Sequence, residues 1–158
     1  MSPGSVKFGS GIETVAHLKQ NGRIVVMMCA FSGRPQVVRL HGRGTVVEMH
    51  DPAFAELLTS FDLSDEALSA VRGMVTVDVQ RVSTSCGYVV PLMEFAEERK
   101  VLYKTAAAWR QRRGPDAIPD YCDVNNGTSI DGLPGLTPFG ADVTEEQRRT
   151  HSAEGRKL

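Results

Sequence analysis

The sequence lacks the features that mark several large classes of protein. No apolar run approaches the ~20 residues that a membrane span needs, and the first residues lack the apolar stretch of a secretory signal. Its 18 lysines and arginines are balanced by 19 aspartates and glutamates, giving a formal charge of -1. That balance argues against a protein built to coat nucleic acid or an anionic membrane. The length of 158 residues suits one domain rather than two.

Cysteine is also scarce. The three cysteines, Cys29, Cys86 and Cys122, are an odd number and show no C-x-x-C spacing. A disulfide framework or a structural zinc site is therefore not indicated, and we predict a reducing, cytoplasmic location. No histidine or carboxylate stands at metal-ligand spacing from His17, so we predict no metal site.

What the chain does have is an apolar, periodic first part and a polar, proline-rich second part. Hydrophobic residues make up 41% of the chain, which is enough for a packed core, whereas four of the eight prolines fall after Gly114. The polar end has no apolar stripe to bury. We predict a short lead over residues 1–8, a main domain over 9–113, an extended arm over 114–142 and a disordered tail over 143–158.

Two strands and a helix are predicted in the first part. Ser10 to Gly22 reads as a helix, with an S-x-x-E capping box from Ser10 to Glu13 and a left-handed glycine cap at Gly22. The segment Ile24–Phe31 is apolar on both faces, which predicts a strand buried on both sides by the core and by a helix or a second subunit. The segment Gln36–Glu48 alternates, and its two glycines indicate a bend or bulge.

The remaining elements are two short helices, a strand and a last helix. The apolar stripe of the first short helix, after Asp51-Pro52, is predicted to be buried. Three confident strands cannot close a barrel, so the open edge predicts that other segments or a partner complete the sheet, and we expect a homodimer. The predicted elements are a helix with the stripe Phe54, Leu57, Leu58 and Phe61, a helix from Ser64 to Val71, a strand over Gly73–Val82 and a helix over Glu97–Gln111.

Several short motifs occur together in a characteristic order between Gly9 and Leu136. They are Gly9-Ser10-Gly11-Ile12-Glu13-Thr14, Asn21-Gly22-Arg23, Arg39-Leu40-His41-Gly42-Arg43-Gly44, Val77-Asp78-Val79-Gln80-Arg81-Val82 and Ser129-Ile130-Asp131-Gly132-Leu133-Pro134-Gly135-Leu136. In this pattern the chain resembles the FMN-binding split barrels of the pyridoxamine 5'-phosphate oxidase-like superfamily. The resemblance implies a mainly β fold with flanking helices (α+β), a dimeric split β-barrel in which residues 9–113 form the barrel domain. It also implies that the Ser129–Pro134 segment lies against the body or the partner subunit.

The sequence departs from that family in three ways. Family members have further strands ahead of the Gly-Ser-Gly segment, so we expect this chain to be a member shortened at its N-terminus, with an incomplete barrel. Glu13 and Thr14 stand where the true oxidases carry an arginine and a lysine for the flavin phosphate. The C-terminal Arg-x-His substrate motif of those oxidases is absent as well. The chain thus resembles the superfamily rather than the vitamin B6 enzyme.

The candidate cofactor residues are Ser10, Gly11, Thr14, Gln36 and Arg39. A turn at a helix start favours a phosphate, and the resemblance puts the FMN phosphate there, but a capping box with Glu13 would use the same donors, so both interpretations stay open. Arg39 can hold an anion bidentately, or it can belong to a solvated or dimer-facing polar stripe with His41 and Arg43. The resemblance implies that Gln36 bonds the flavin ring edge; the alternative is a polar residue flanking a turn.

The resemblance implies FMN as the cofactor, with a deazaflavin or heme as alternatives, and a small-molecule substrate. We predict an FMN-binding, flavin-dependent oxidoreductase of unknown substrate, with weak FMN binding. The alternative is a truncated, non-catalytic paralogue that acts as a flavin-binding or structural dimer module. No side chain is assigned a catalytic role, and Cys86 is interpreted as a pocket wall, because no cation or helix N-terminus is fixed beside it to activate the thiol.

Overall fold

The structure is a computed structural model, and it describes residues 4–7 and 11–139. Ser10 and the predicted tail over 143–158 lie outside the described residues. The elements in chain order are β1 (Gly4–Lys7), α1 (Glu13–Asn21), β2 (Arg23–Cys29), β3 (Gln36–Glu48), α2 (Phe54–Leu58), α3 (Asp65–Leu68), β4 (Val71–Cys86), α4 (Val101–Arg113) and α5 (Ala117–Asn125). Within this described part, no helix combines the length and apolar character needed to cross a bilayer.

The strands form one antiparallel sheet of four strands in the order β1-β4-β3-β2. With its flanking helices the fold is α+β, as predicted. β3 has the predicted bounds and lies inside the sheet, and its register against β4 shifts between His41 and Gly42. A Cβ at Gly42 would lie 2.1 Å from the Asp78 carbonyl oxygen, so only glycine fits there. The predicted bulge is confirmed.

Helix α1 lies across one face of the β2–β3 hairpin. Its C-terminal cap is Gly22 with φ 70°, whose N–H donates to the Leu18 carbonyl, as predicted. Its start differs from the prediction, because the N-cap is Ile12 and makes no side-chain cap. The Glu13 carboxylate instead accepts from the Ile130 N–H at 3.4 Å. The predicted capping box is wrong because Glu13 is the first helical residue and not the third.

A hydrophobic core forms between the last two helices and the start of β4. Ala106 of α4 is fully buried against Ile118 and Cys122 of α5, with Trp109 and Tyr121 packed around them. The prediction of an extended arm over 114–142 did not include α5. Pro119 favours an irregular segment by composition, but it stands in the first turn of α5, where its missing N–H removes no helical hydrogen bond.

Strand β2 is only partly covered in this chain. Val25 is 51% exposed, Met27 58% and Met28 46%, whereas α1 packs against Ile24 at the start of the strand. A helix of the described residues therefore does not bury the whole strand, and its burial by a second subunit stays a prediction. β2 is also an edge strand of the sheet.

Several other elements have bounds that differ from the predicted ones. Pairing with β1 extends β4 back to Val71, and the predicted lead over 1–8 therefore contains a strand. Ser64 caps α3 by accepting from the Ala67 N–H, as predicted, but the helix ends at Leu68. α2 is short and buries none of its residues fully, so its apolar stripe is half-buried at most. α4 begins at Val101, four residues later than predicted.

Candidate functional site

The start of α1 is the first part of the predicted site. Gly11 and Thr14 are both exposed there, and the N-cap Ile12 has no side chain that could accept from the first-turn N–H groups. Those N–H groups and the Thr14 hydroxyl are donors of the kind that bind phosphate at a helix start. Ser10, the third predicted residue of this turn, lies outside the described residues.

A buried arginine lies beneath this turn. Arg72 is only 3% exposed; its Nη2 donates to the Gly11 carbonyl at 2.7 Å and its Nη1 donates to the Asn126 side-chain oxygen. Burial lowers the pKa of Arg72 below its ordinary value, yet a guanidinium stays charged in proteins. The guanidinium thus fixes the turn and adds a positive charge behind it. Arg72 is not among the predicted site residues, although a lone arginine in the apolar run 70–75 is a signal in the sequence.

The thiol next to this arginine is inert. Burial raises the pKa of Cys122 to about 11, and the Arg72 guanidinium lowers it only in part. At neutral pH the thiol is therefore protonated, and protonated thiols are poor nucleophiles. Cys86 is exposed at the end of β4 and Cys29 is half-buried at the end of β2.

The segment 126–137 closes over α1, as predicted for Ser129–Pro134. Asp131 accepts from the His17 ring at 3.0 Å, and Leu136 is buried against Ile12 and Val15. The Gly135 N–H donates to the Gly127 carbonyl, which bends the segment back on itself. The segment therefore forms part of the wall beside the α1 start.

A partly buried ion pair holds the end of this segment. The Glu48 carboxylate, in a residue 9% exposed, pairs with Lys19 of α1 and accepts from the Thr137 N–H at 2.7 Å. Lys19 also donates to the Gly135 carbonyl. One carboxylate at the end of β3 thus joins the sheet, α1 and the C-terminal segment.

Gln36 and Arg39 lie at the start of β3, at the opposite end of the strand from Glu48. Gln36 is exposed and pairs with Cys86, and Arg39 donates from Nη1 to the Ser85 hydroxyl at 2.9 Å. The α1 start packs beside Val46, seven residues further along the strand from Arg39. At about 3.3 Å per residue this is more than about 20 Å. A single chain therefore does not bring Gln36 and Arg39 together with Gly11 and Thr14.

The predicted cationic stripe of β3 is present on one face, and each member has a polar neighbour. The His41 ring contacts the Ser83 hydroxyl at 2.9 Å, and Arg43 donates to the Asn21 carbonyl at 3.0 Å. With the Arg39–Ser85 bond, these contacts run in a line across β3 and its neighbours. The stripe is a set of basic side chains, each held by its own hydrogen bond.

Comparison with known proteins gives one relative. The pyridoxamine 5'-phosphate oxidase family protein ustO from Aspergillus flavus is 34% identical to this chain over 149 residues, which cover 86% of the chain. The chain belongs to the pyridoxamine 5'-phosphate oxidase family. The resemblance seen in the sequence motifs is thereby confirmed. The chain spans 59% of the length of that relative. No family model matches the sequence, and no solved structure matches it.

Proposed function

We propose that this protein is an FMN-binding split-barrel protein that works as a homodimer and as a flavin-dependent oxidoreductase on a small molecule in the cytoplasm. The family relationship carries the proposal: a family relative is 34% identical over most of the chain. The antiparallel sheet with flanking helices is compatible with part of a split barrel. FMN, when bound, supplies the hydride chemistry, so the chain itself must bind and orient it.

The predicted contacts fit FMN only if two protomers share each site. The α1 start, with the Thr14 hydroxyl, first-turn N–H groups and the Arg72 charge behind it, suits the phosphate. Gln36 and Arg39 suit the ring edge and its polar atoms, but they lie more than about 20 Å away along β3 in the same chain. We therefore propose that the α1 start of one protomer and the β3 start of its partner hold one flavin.

The open side of the hairpin supplies the dimer surface in this proposal. Val25 and Met27 are each more than half exposed on an edge strand, and Phe31 in the following turn is 48% exposed. Exposed apolar surface next to an unpaired strand edge is typical of a protein interface. The same surface lies beside Arg39, which is opposite Met27 in the register, so the interface and the proposed ring contact adjoin.

One observation favours the alternative of a flavin-binding or structural module without turnover. Glu13 places a carboxylate at the α1 start, where the true oxidases carry a cation. A charge-assisted hydrogen bond is worth ~1.5–3 kcal/mol, so the loss of two weakens binding by roughly two to four decades. We therefore expect FMN binding in the micromolar range or weaker, and incomplete flavin occupancy on purification.

Isothermal titration calorimetry of the purified chain with FMN tests the proposal. We expect saturable binding that Arg39→Ala weakens more than about tenfold. Arg34→Ala removes an exposed arginine in the β2–β3 turn and serves as the matched control. Reduction of the bound flavin by NAD(P)H would separate the oxidoreductase from the non-catalytic module. An intact dimer that binds no FMN would contradict the flavin proposal.

Mixed dimers test the sharing of the site. A Thr14→Glu variant and an Arg39→Ala variant each damage both sites of their own homodimer. When the two are mixed and allowed to exchange protomers, one site of each mixed dimer carries both changes and the other carries neither. We expect part of the FMN binding to return. If all contacts came from one protomer, mixing would restore none.

A further inference from the structure

A second polar site lies at the opposite end of α1 from the proposed phosphate contact. It is a cleft of about 730 Å³ between the C-terminal end of α1, the start of β2 and the middle of β3 and β4. None of the described residues that line it is an aspartate or a glutamate, and three side-chain amides complete its polar lining. Its basic residues, which define the basic cleft, are His17, Arg23, His41, Arg43 and Arg81.

The strand register places like charges opposite one another in this cleft. The like-charge pair is Arg23 opposite Arg43 across β2 and β3, and His41 stands opposite Arg81 across β3 and β4. Like charges directly opposite in a sheet destabilise it. Among the residues that the structure describes, no aspartate or glutamate lines this concave surface. Such an arrangement costs folding stability, and a bound anion would offset that cost.

The cleft is also held in shape by hydrogen bonds. Arg43 donates from Nη1 to the Asn21 carbonyl at the end of α1, and a Cβ at Gly22 would lie 3.2 Å from the same nitrogen. His41 contacts Ser83, and His17 contacts Asp131 outside the cleft. These bonds orient the cations before a ligand arrives. A guanidinium has five N–H donors, so Arg43 keeps donors for a ligand.

Two carboxylates come near the cleft without lining it: Asp131, which contacts His17, and Asp78. Asp78 stands opposite Arg43 in the β3–β4 register, but it does not line the cleft, and the described Arg43 hydrogen bond goes to Asn21. Arg23 and Arg81 are both exposed at the cleft. The cleft therefore presents a concave positive surface within a chain whose formal charge is -1.

We propose that the basic cleft binds a small molecule through a phosphate or diphosphate group, at a site separate from the flavin site. Guanidinium groups match phosphate oxygens bidentately, and the volume of the cleft is in the range of small-molecule sites. The formal charge of -1 for the whole chain argues against a nucleic-acid surface. None of the predicted flavin residues lines the cleft, so this proposal does not depend on flavin binding.

Calorimetric titration of the full chain with inorganic diphosphate, at constant ionic strength, tests the proposal. We expect saturable binding that Arg23→Gln and Arg81→Gln each weaken by about tenfold or more. Arg34→Gln removes the same charge from an exposed turn at the far end of the hairpin and should leave the affinity within about twofold. Arg23 and Arg81 are exposed, so melting curves should show both variants folded.

Three results would overturn the proposal. The first is no saturable diphosphate binding, or an equal loss with Arg34→Gln, which would show only general charge attraction. The second is displacement of diphosphate by FMN together with loss of both in Arg39→Ala, which would make the cleft part of the flavin site. The third is tighter binding of a single-stranded oligonucleotide than of diphosphate, with the same dependence on Arg23 and Arg81. Diphosphate binding by a chain that binds no FMN would support the cleft while contradicting the flavin proposal.

Discussion

The two ends of the β2–β3 hairpin and its surroundings differ sharply in how well one chain covers them. At the end away from the β2–β3 turn, which we call the closed end, α1 and the segment 126–137 bury Ile12 to 1% and Val15 to 2% exposure. At the turn end, which we call the open end, Met27 is 58% exposed and Leu92, in the segment after β4, is 82% exposed. Both ends are rich in apolar residues. The difference shows that apolar sequence indicates a need for cover, whereas the arrangement of elements decides whether the same chain supplies it.

The comparison extends to function, because each end holds part of the predicted site. Gly11 and Thr14 lie at the closed end, where Arg72 and the C-terminal segment fix the backbone. Gln36 and Arg39 lie at the open end. Only Ser85, at the end of β4, bonds the Arg39 side chain among the described contacts. In the proposed shared site, the closed end of one protomer would supply the fixed phosphate contacts. The exposed open end of its partner would supply Gln36 and Arg39.

The largest expected effect is at the closed end. Arg72→Met removes the donors to the Gly11 carbonyl and to the Asn126 side chain, which is fully buried. Loss of these charged hydrogen bonds, one of them to a fully buried amide, should lower the free energy of unfolding by about 3–5 kcal/mol in urea titrations. Arg112→Met, at an exposed arginine of α4, is the control and should change it by less than about 0.5 kcal/mol. Equal stability of the two variants would show that Arg72 does not organise this end.

The next effect concerns the open end. Met27→Asp places a carboxylate in the proposed dimer surface, and burying it there should weaken dimerisation by at least about a hundredfold. Light scattering at micromolar concentration measures the mass. Because Met27 is 58% exposed in one chain, the monomer should keep its fold. Ile130→Asp, at a residue 92% exposed, is the control and should stay dimeric. A monodisperse monomer for the unaltered chain would contradict the dimer proposal.

A smaller effect is expected where the C-terminal segment docks. Glu48→Gln removes the ion pair with Lys19 and weakens the bond from Thr137. The free energy of unfolding should fall by about 1–3 kcal/mol, and proteases should cut the segment 126–139 sooner. Glu56→Gln, on an exposed face of α2, supplies the comparison. Unchanged proteolysis of the Glu48 variant would mean that Leu136 packing alone holds the segment.

The smallest effect is a pH dependence of the loop over α1. Hydrogen bonds from the Ser129 hydroxyl and then from His17 lower the pKa of Asp131 below its ordinary value of 3.8. A lowered carboxyl pKa stabilises the loop fully above that ordinary value, and the contribution is lost as the pH falls through the lower, folded value. NMR signals of Ser129 and Leu133 should report this transition. Asp131→Asn should abolish it, and a transition that persists in that variant would assign it to another group.

Much of the local structure could be predicted from the sequence. The bounds of β3, the left-handed cap at Gly22 and the Ser64 cap all depend on residues within a few positions of one another. The elements that were missed depend on distant partners. β1 exists because it pairs with β4, and α5 is stabilised by packing on α4.

The sequence by itself determined the family, the α+β class and the β2–β3 hairpin, because motif order and strand alternation are local patterns. Only the tertiary structure decided which apolar face is covered, that Arg72 lies beneath Gly11, and that Arg23 stands opposite Arg43. These facts depend on strand register and on helix docking. Register and docking are set by contacts between residues far apart in the chain, which no local pattern encodes.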